Sequence, residues 1–311
     1  MRTRPFGKTG LSVSELTFGT SALERGGEEA QAALVLALHH GINAVEIGAG
    51  GAAEDIVGDI LRQEPVRGPV HVFSRASSLV RFDLPSPHIP AYEAYPGSHL
   101  CGETEASLKR LGVERLGCLM LHTWCPEWLE EGDWLETLVR LRDEGKIAAI
   151  GVSLFDHDLD SGAQVVASGA IDCIEFMFNI FDQGAGSSML PHCDRHGVAA
   201  IVRSPLYYGA LSSQFAARGP FADEDWRGAY FYDEHRAETG QRVAEVGKLA
   251  TALDQSISDL AIRYAISHPA VTTVAVGMSS RTQVEANVRA VGSGGLEAEA
   301  IAKLRRHRWL C

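Results

Sequence analysis

Hydrophobic positions along this chain come in two alternating rhythms. Short, mostly apolar runs occupy 16–20, 44–47, 70–74, 116–121, 147–152, 173–178, 199–202 and 271–276. Such runs read as strands buried on both faces. Between them, apolar residues recur at helical spacing over 28–40, 54–61, 103–111, 134–144, 158–168, 189–196, 235–253, 256–267 and 281–291, and a last helix is predicted over 296–308. In the first of these the spacing rests on Ala33, Val35, Leu36 and Leu38, and Gly41 stops it. The opening segment, Pro5 to Ser14, reads as a hairpin turning at Lys8-Thr9-Gly10.

Strands that strictly alternate with helices pair in parallel through right-handed crossovers. The eight units predict a (β/α)8 barrel, its base capped by the hairpin, rather than an open sheet. No Pro/Gly/Ser-rich linker interrupts the chain, so residues 1–311 are expected to form one domain. Two stretches fall outside the rhythm. Residues 77–99 carry four prolines together with Tyr92 and Tyr95, and residues 207–233 are rich in aromatics. Loops of that length are commonly functional.

Charge narrows the partners. A formal net charge of −12 argues against nucleic acid and anionic membranes. No run approaches the roughly 18 apolar residues of a membrane span, and MRTRPFGKTG lacks the apolar centre of a signal peptide. A cytoplasmic protein is expected. The six cysteines show no CxxC spacing, so neither a zinc ribbon nor a redox pair is suggested. His39-His40 and Asp156-His157-Asp158 read as helix surface and helix N-cap rather than as metal ligands, and no metal site is expected.

In a barrel, the strand ends Glu46, Arg75, His122, Ser153, Asn179 and Arg203 face one mouth, where barrel enzymes place their chemistry. Glu46 lies in NAVEIGAGGAAEDIVG, a strand, a glycine turn and the opening of a helix.

Several segments, taken together and in order, resemble the aldo-keto reductase superfamily over nearly the whole chain. They are RPFGKTGLSVSELTFGT, EASLKRLGVERLGCLMLH, EGKIAAIGVS, RSPLYYGAL and LAIRYAISHPAVTTVAVGMSSRTQVEAN. The resemblance implies an NADP(H)-linked carbonyl reductase with a catalytic tetrad of Asp, Tyr, Lys and His. Here the Asp position holds Glu46, the Tyr position Gly51 (or Gly50 in a shorter turn), and the Lys position Arg75; His122 is retained. Without the phenol, the usual proton donor is missing, and general acid–base catalysis contributes roughly 10²–10⁴-fold. Arg75 stays protonated and cannot share a proton as lysine can. Glu46 and Arg75 are therefore expected either as a buried ion pair holding the mouth or, together with His122 as an acid or base near neutral pH, as a rebuilt catalytic site. Tyr92 or Tyr95 would be the substitute phenol or ordinary packing.

The cofactor half implied by the resemblance is fuller. Gly277, Ser279, Ser280, Arg281, Gln283 and Asn287 fall where the family holds the adenosine 2′-phosphate. Ser279 stands where Arg or Lys is usual, and Arg281 at a helix N-terminus offers a charge nearby. Ser204, Leu206, Gly209 and Leu211 match the loop around the pyrophosphate, Arg203 is placed to stack on nicotinamide, and Ser153 and Asn179 match strand-end contacts. Leu154 and Glu175 replace the usual Asn and Gln. Three functions remain open. One is an NADP(H)-dependent oxidoreductase with an altered proton donor, acting on a small polar substrate that carries an acid for Arg75. The second is a non-redox lyase, dehydratase or isomerase using His122 and Glu46. The third is a non-catalytic nucleotide- or partner-binding barrel. The oligomeric state is not readable.

Overall fold

The apolar runs fold as a closed ring because each is too hydrophobic to leave either face in water. The computed structural model describes residues 1–66, 68–80, 88–213, 215, 219, 221–222 and 224–309. Two short strands, β1 (Thr3–Pro5) and β2 (Ser12–Ser14), pair antiparallel. Eight parallel strands follow: β3 (Leu16–Gly19), β4 (Ala44–Gly48), β5 (His71–Ala76), β6 (Cys118–Leu121), β7 (Ile150–Ser153), β8 (Cys173–Met177), β9 (Ala199–Arg203) and β10 (Val271–Gly277). They close in sequence order, with β10 bonded to both β9 and β3. This is the (β/α)8 barrel expected from the pattern, with the N-terminal hairpin present.

Alternation sorts each strand's residues. Ala44, Phe73, Cys118, Ala149, Cys173, Ala199 and Ala275 point inward and pack with Phe6 and Val13 of the hairpin in one buried cluster. Phe6 is fully buried, with its ring centroid 4.9 Å from that of Phe73. The hairpin thus plugs the end where the strands begin. Gly7 permits this approach: its φ is +57°, and a Cβ there would press on the backbone of Gly197, Ala199 and Asp172. The outward strand residues pack beneath the surrounding helices in a second, larger core.

Helices fall close to their expected bounds, and two departures have physical causes. The helix expected over 103–111 begins earlier, at Gly97, and runs to Leu111. Asp133 accepts the Gly97 N–H at 2.9 Å, a cap supplied from a distant segment. The helix expected over 158–168 is α-helical only over Ala163–Ser168, after a 3-10 turn at Asp160–Gly162. In the long segment before Gly97, Arg81 to Pro87 lie outside the described residues; Ala91–Ala94 form one helical turn.

Candidate functional site at the barrel mouth

Two to four residues further along the strands from the inward core layer, the lining changes from apolar to polar and ionic. Glu46 on β4, Arg75 on β5, Glu175 on β8 and Arg203 on β9 stand on the inner face, with Ser153 at the end of β7 and His122 just past β6. Arg75 Nε lies 3.0 Å from Glu46 Oε1, and Arg75 Nη1 lies 3.7 Å from Glu175 Oε2. The Nε contact lacks hydrogen-bond alignment. Ser153 Oγ donates to Glu175 Oε2 at 2.6 Å. The other oxygen, Glu175 Oε1, is buried without a hydrogen bond. A protonated Glu46 beside it has an O–H to donate to this carboxylate.

The two carboxyls titrate as a pair, because two like charges in one buried pocket disfavour each other. Burial raises Glu46 from 4.5 to about 8; Arg75 opposes the rise, and Glu175 adds to it. Glu175, although buried, is held below its ordinary range by Arg75, Arg203 and the Ser153 hydroxyl. The pair therefore holds on to one proton toward neutral pH, and the opposite directions of the two shifts favour Glu46 as its seat.

His122 corrects the sequence reading. Burial by the pocket walls, and then Arg75 and Arg203, lower its pKa from 6.5 to about 4, against the pull of Glu175. Its ring still reaches solvent at the mouth. The direction favours a neutral imidazole and leaves the Glu46–Glu175 pair as the group shifted toward neutrality. Sequence could not show this, because the two arginines come from distant strands.

Tyr95 and Tyr208 are engaged by the protein, and Tyr92 stands exposed. Tyr92 is 59% exposed. Tyr95 is fully buried; its hydroxyl lies 2.9 Å from Thr123 Oγ1 and accepts the Thr123 N–H at 3.1 Å. Burial pushes the Tyr95 phenol up to about 12. Tyr208 donates to Asp156 and accepts from Arg203 Nη1 at 3.2 Å, and burial raises its pKa as well. At Gly51 a side chain would run into the carboxylate of Glu24, which fills the space beside that turn. Trp124, two residues past His122, is 1% exposed and packs edge-on to Trp128 and Trp134. Trp226 is the exposed tryptophan, its ring centroid 4.7 Å from that of Tyr208.

Arg203 is pinned by Asp156 at 2.5 Å and by the Leu154 carbonyl at 2.8 Å. Asp156 is thus an ion-pair partner and not a helix cap, while His157 pairs with Asp182 at 2.8 Å. Among the described residues no cluster of acidic, His or Cys side chains could hold a metal ion. After Arg203 the chain turns through Ser204, Tyr207 and Tyr208, three non-glycine residues with φ of 54°, 47° and 55°. Strain of this kind persists where the surroundings enforce it and often marks ligand-binding loops. Leu206 O accepts from both Gly209 and Leu211, which folds this loop tightly. Asn179 is fully engaged by the protein: Nδ2 donates to Ser204 O, and Oδ1 accepts from Phe181 and Asp182. It shapes the loop rather than offering a free amide.

On the adjacent strand, Gly277 ends β10, and Asn287 lies buried on the helix Arg281–Gly292 that follows. Ser279 N and Oγ both donate to Gln283 Oε1, and Gln283 N donates to Ser280 Oγ, so Ser280 caps that helix start and the Gln283 side chain folds back onto Ser279. Arg281 is not the free cation expected. Its N–H donates to Glu29 Oε1 at 3.0 Å and its Nη2 to Glu29 Oε2 at 3.2 Å. Glu29, Glu175, Asp156 and Glu24 are the acids that sequence reasoning left out of the site. The substitution of Glu175 for the family's Gln was a visible signal; nothing in the sequence pointed to the other three.

Comparison with known proteins agrees with this architecture. Residues 15–308 match the model of the aldo/keto reductase family. An NADH-specific methylglyoxal reductase of Escherichia coli (strain K12) is 26% identical, with 96% of each chain covered. A probable voltage-gated potassium channel subunit beta of Arabidopsis thaliana is also 26% identical, over 94% of this chain and 91% of that protein. The structure of an aldo-keto reductase from Bacillus halodurans in its holo form superposes with a TM-score of 0.76 at 26% identity, covering 100% of this chain and 98% of that one. With its closed barrel, its hairpin plug and a family match across nearly its whole length, the chain belongs to the aldo/keto reductase family.

Proposed function

We propose that this chain, acting as one domain, is an oxidoreductase that interconverts a small polar carbonyl compound and its alcohol with a nicotinamide dinucleotide, using Glu46 in place of the missing phenol. The observation that carries this reading is the pair Glu46–Glu175 beside Arg75. It is a buried acid that keeps its proton at neutral pH within the polar ring at the mouth. The strained loop after Arg203 and the polar helix start at 280–283 fit a bound dinucleotide. When bound, that cofactor supplies or accepts the hydride. Ser204, Leu206, Gly209 and Leu211 would surround its pyrophosphate; Gly277, Ser279, Arg281, Gln283 and Asn287 would lie along its adenosine end. Ser153 and Asn179 hold the surrounding backbone and Glu175 in place.

The chemistry left to the protein is positional and protolytic. His122, neutral, has an N–H to donate to a carbonyl oxygen and so orients it. Glu46 delivers a proton to that oxygen as it becomes an alkoxide, and the carboxylate it leaves is met by Arg75. In the reverse direction the ionised Glu46 accepts the alcohol proton. Arg75 already faces the Glu175 carboxylate and receives the charge that Glu46 takes on after proton transfer, so an acidic group on the substrate is no longer favoured. The choice between NADP(H) and NAD(H) turns on Arg281: a free guanidinium there would favour NADP(H), and Glu29 holds it.

The test is to mix purified protein with NADH or NADPH and a panel of small aldehydes and hydroxy-ketones while following loss of reduced-nicotinamide absorbance. Glu46→Ala should abolish turnover while nucleotide binding persists. Full turnover in Glu46→Ala would place the proton donor elsewhere. Substrate conversion with no change in nucleotide would favour a lyase or isomerase instead.

A further inference from the structure

We propose that Glu29 makes this protein discriminate against the 2′-phosphate, so that it binds NAD(H) in preference to NADP(H); this rests on the proposed placement of the adenosine end beside helix 281–292. Glu29 sits in the first turn of the helix Glu28–His39, and its carboxylate reaches across to the start of the neighbouring helix. There it takes two donors at once, the backbone N–H of Arg281 and the guanidinium Nη2 of the same residue. Those are the two groups through which Arg281 would hold a phosphate. Two other donors nearby are also satisfied internally, Ser279 N by Gln283 and Gln283 N by Ser280. The hydrogen bonds from Arg281 lower the pKa of Glu29, in keeping with an ionised carboxylate.

A ribose 2′-phosphate brings about −1.5 to −2 charge at neutral pH. To reach Arg281 it must displace a carboxylate that already has two donors, or stand beside it and be repelled. A ribose 2′-hydroxyl meets no such obstacle. It can donate to Glu29 while Arg281 keeps its pairing, the arrangement by which an acidic residue selects the unphosphorylated cofactor in other dinucleotide sites. Ser279 adds no positive charge on the other side of the turn. The pair is exposed, with 61% of the Arg281 side chain and 50% of the Glu29 side chain accessible, so the discrimination should weaken as salt rises.

Calorimetric titration of the nucleotide-free protein with NADH and with NADPH measures the choice without turnover. We expect NADH to bind at least about tenfold tighter at low salt, with the ratio shrinking at high salt. Glu29→Gln should cut that ratio to about twofold or below, chiefly by tightening NADPH, because Arg281 is released to the phosphate. Its melting temperature should not change, since the pair lies at the surface. Equal or tighter NADPH binding by the wild type, or an unchanged ratio in Glu29→Gln, overturns the inference and leaves the cofactor reading standing. Binding of neither nucleotide overturns the cofactor reading and this inference with it.

Discussion

Replacing Glu175 with glutamine removes the charge that keeps Glu46 protonated, while preserving shape. Two unit charges about 4 Å apart interact by about 4 kcal/mol at an effective permittivity of about 20, and 1.36 kcal/mol corresponds to one pKa unit. Arg75 stands between the carboxyls, 3.0 Å from one and 3.7 Å from the other, and offsets much of that repulsion. We therefore expect the pKa of Glu46 to fall from about 8 by about one to two units in Glu175→Gln. The sign follows from the cause: the Glu175 anion raises the Glu46 pKa, so its loss lowers it. Arg75 then keeps an ionised Glu46 as partner, and the Ser153 hydroxyl can donate to the carbonyl of the new amide, so the fold should lose no more than about 1–2 kcal/mol. Infrared difference spectra between about pH 5 and about pH 10, spanning the expected transition, follow loss of the protonated-carboxyl stretch without needing a substrate. The alkaline limb of the reduction rate should move with it. An unmoved or upward transition would refute the assignment of the proton to Glu46.

Three further outcomes follow from the same geometry. His122→Phe should lower kcat/KM by about 10²-fold by losing an orienting hydrogen-bond donor, yet leave the alkaline limb near 8; disappearance of that limb would return the proton donor to His122. Because the folded pKa of Glu46 lies above 4.5, the stability it contributes is complete below that value and is lost as pH rises through about 8. Calorimetric melting points should fall across that window in the wild type and much less in Glu46→Gln; parallel curves would contradict the raised pKa. Away from the mouth, fully buried Glu54 accepts Ser107 Oγ and Arg110 Nε, each at 2.5 Å. Glu54→Ala should cost about 3 kcal/mol in chemical denaturation, and a loss below about 1 kcal/mol would mean that the pair is worth no more than a surface ion pair.

The sequence by itself determined the barrel. Each strand and helix is written locally, as apolar runs with period two or three to four and glycine stops, and eight such units leave few ways to close a sheet. Fold, hairpin plug and the placement of Glu46, Arg75 and His122 on strands that face one mouth were all legible at that level. What the tertiary structure alone decided is electrostatic. Whether Glu46 or His122 titrates near neutrality depends on Arg75, Glu175 and Arg203, brought together from separate strands. Whether Arg281 is free depends on Glu29, 252 residues earlier in the chain, just as the N-terminal cap on Gly97 depends on Asp133. Hydrophobic periodicity is a property of neighbours along the chain, whereas charge acts through space and is strengthened by burial, so protonation and pairing become readable only once the barrel has closed.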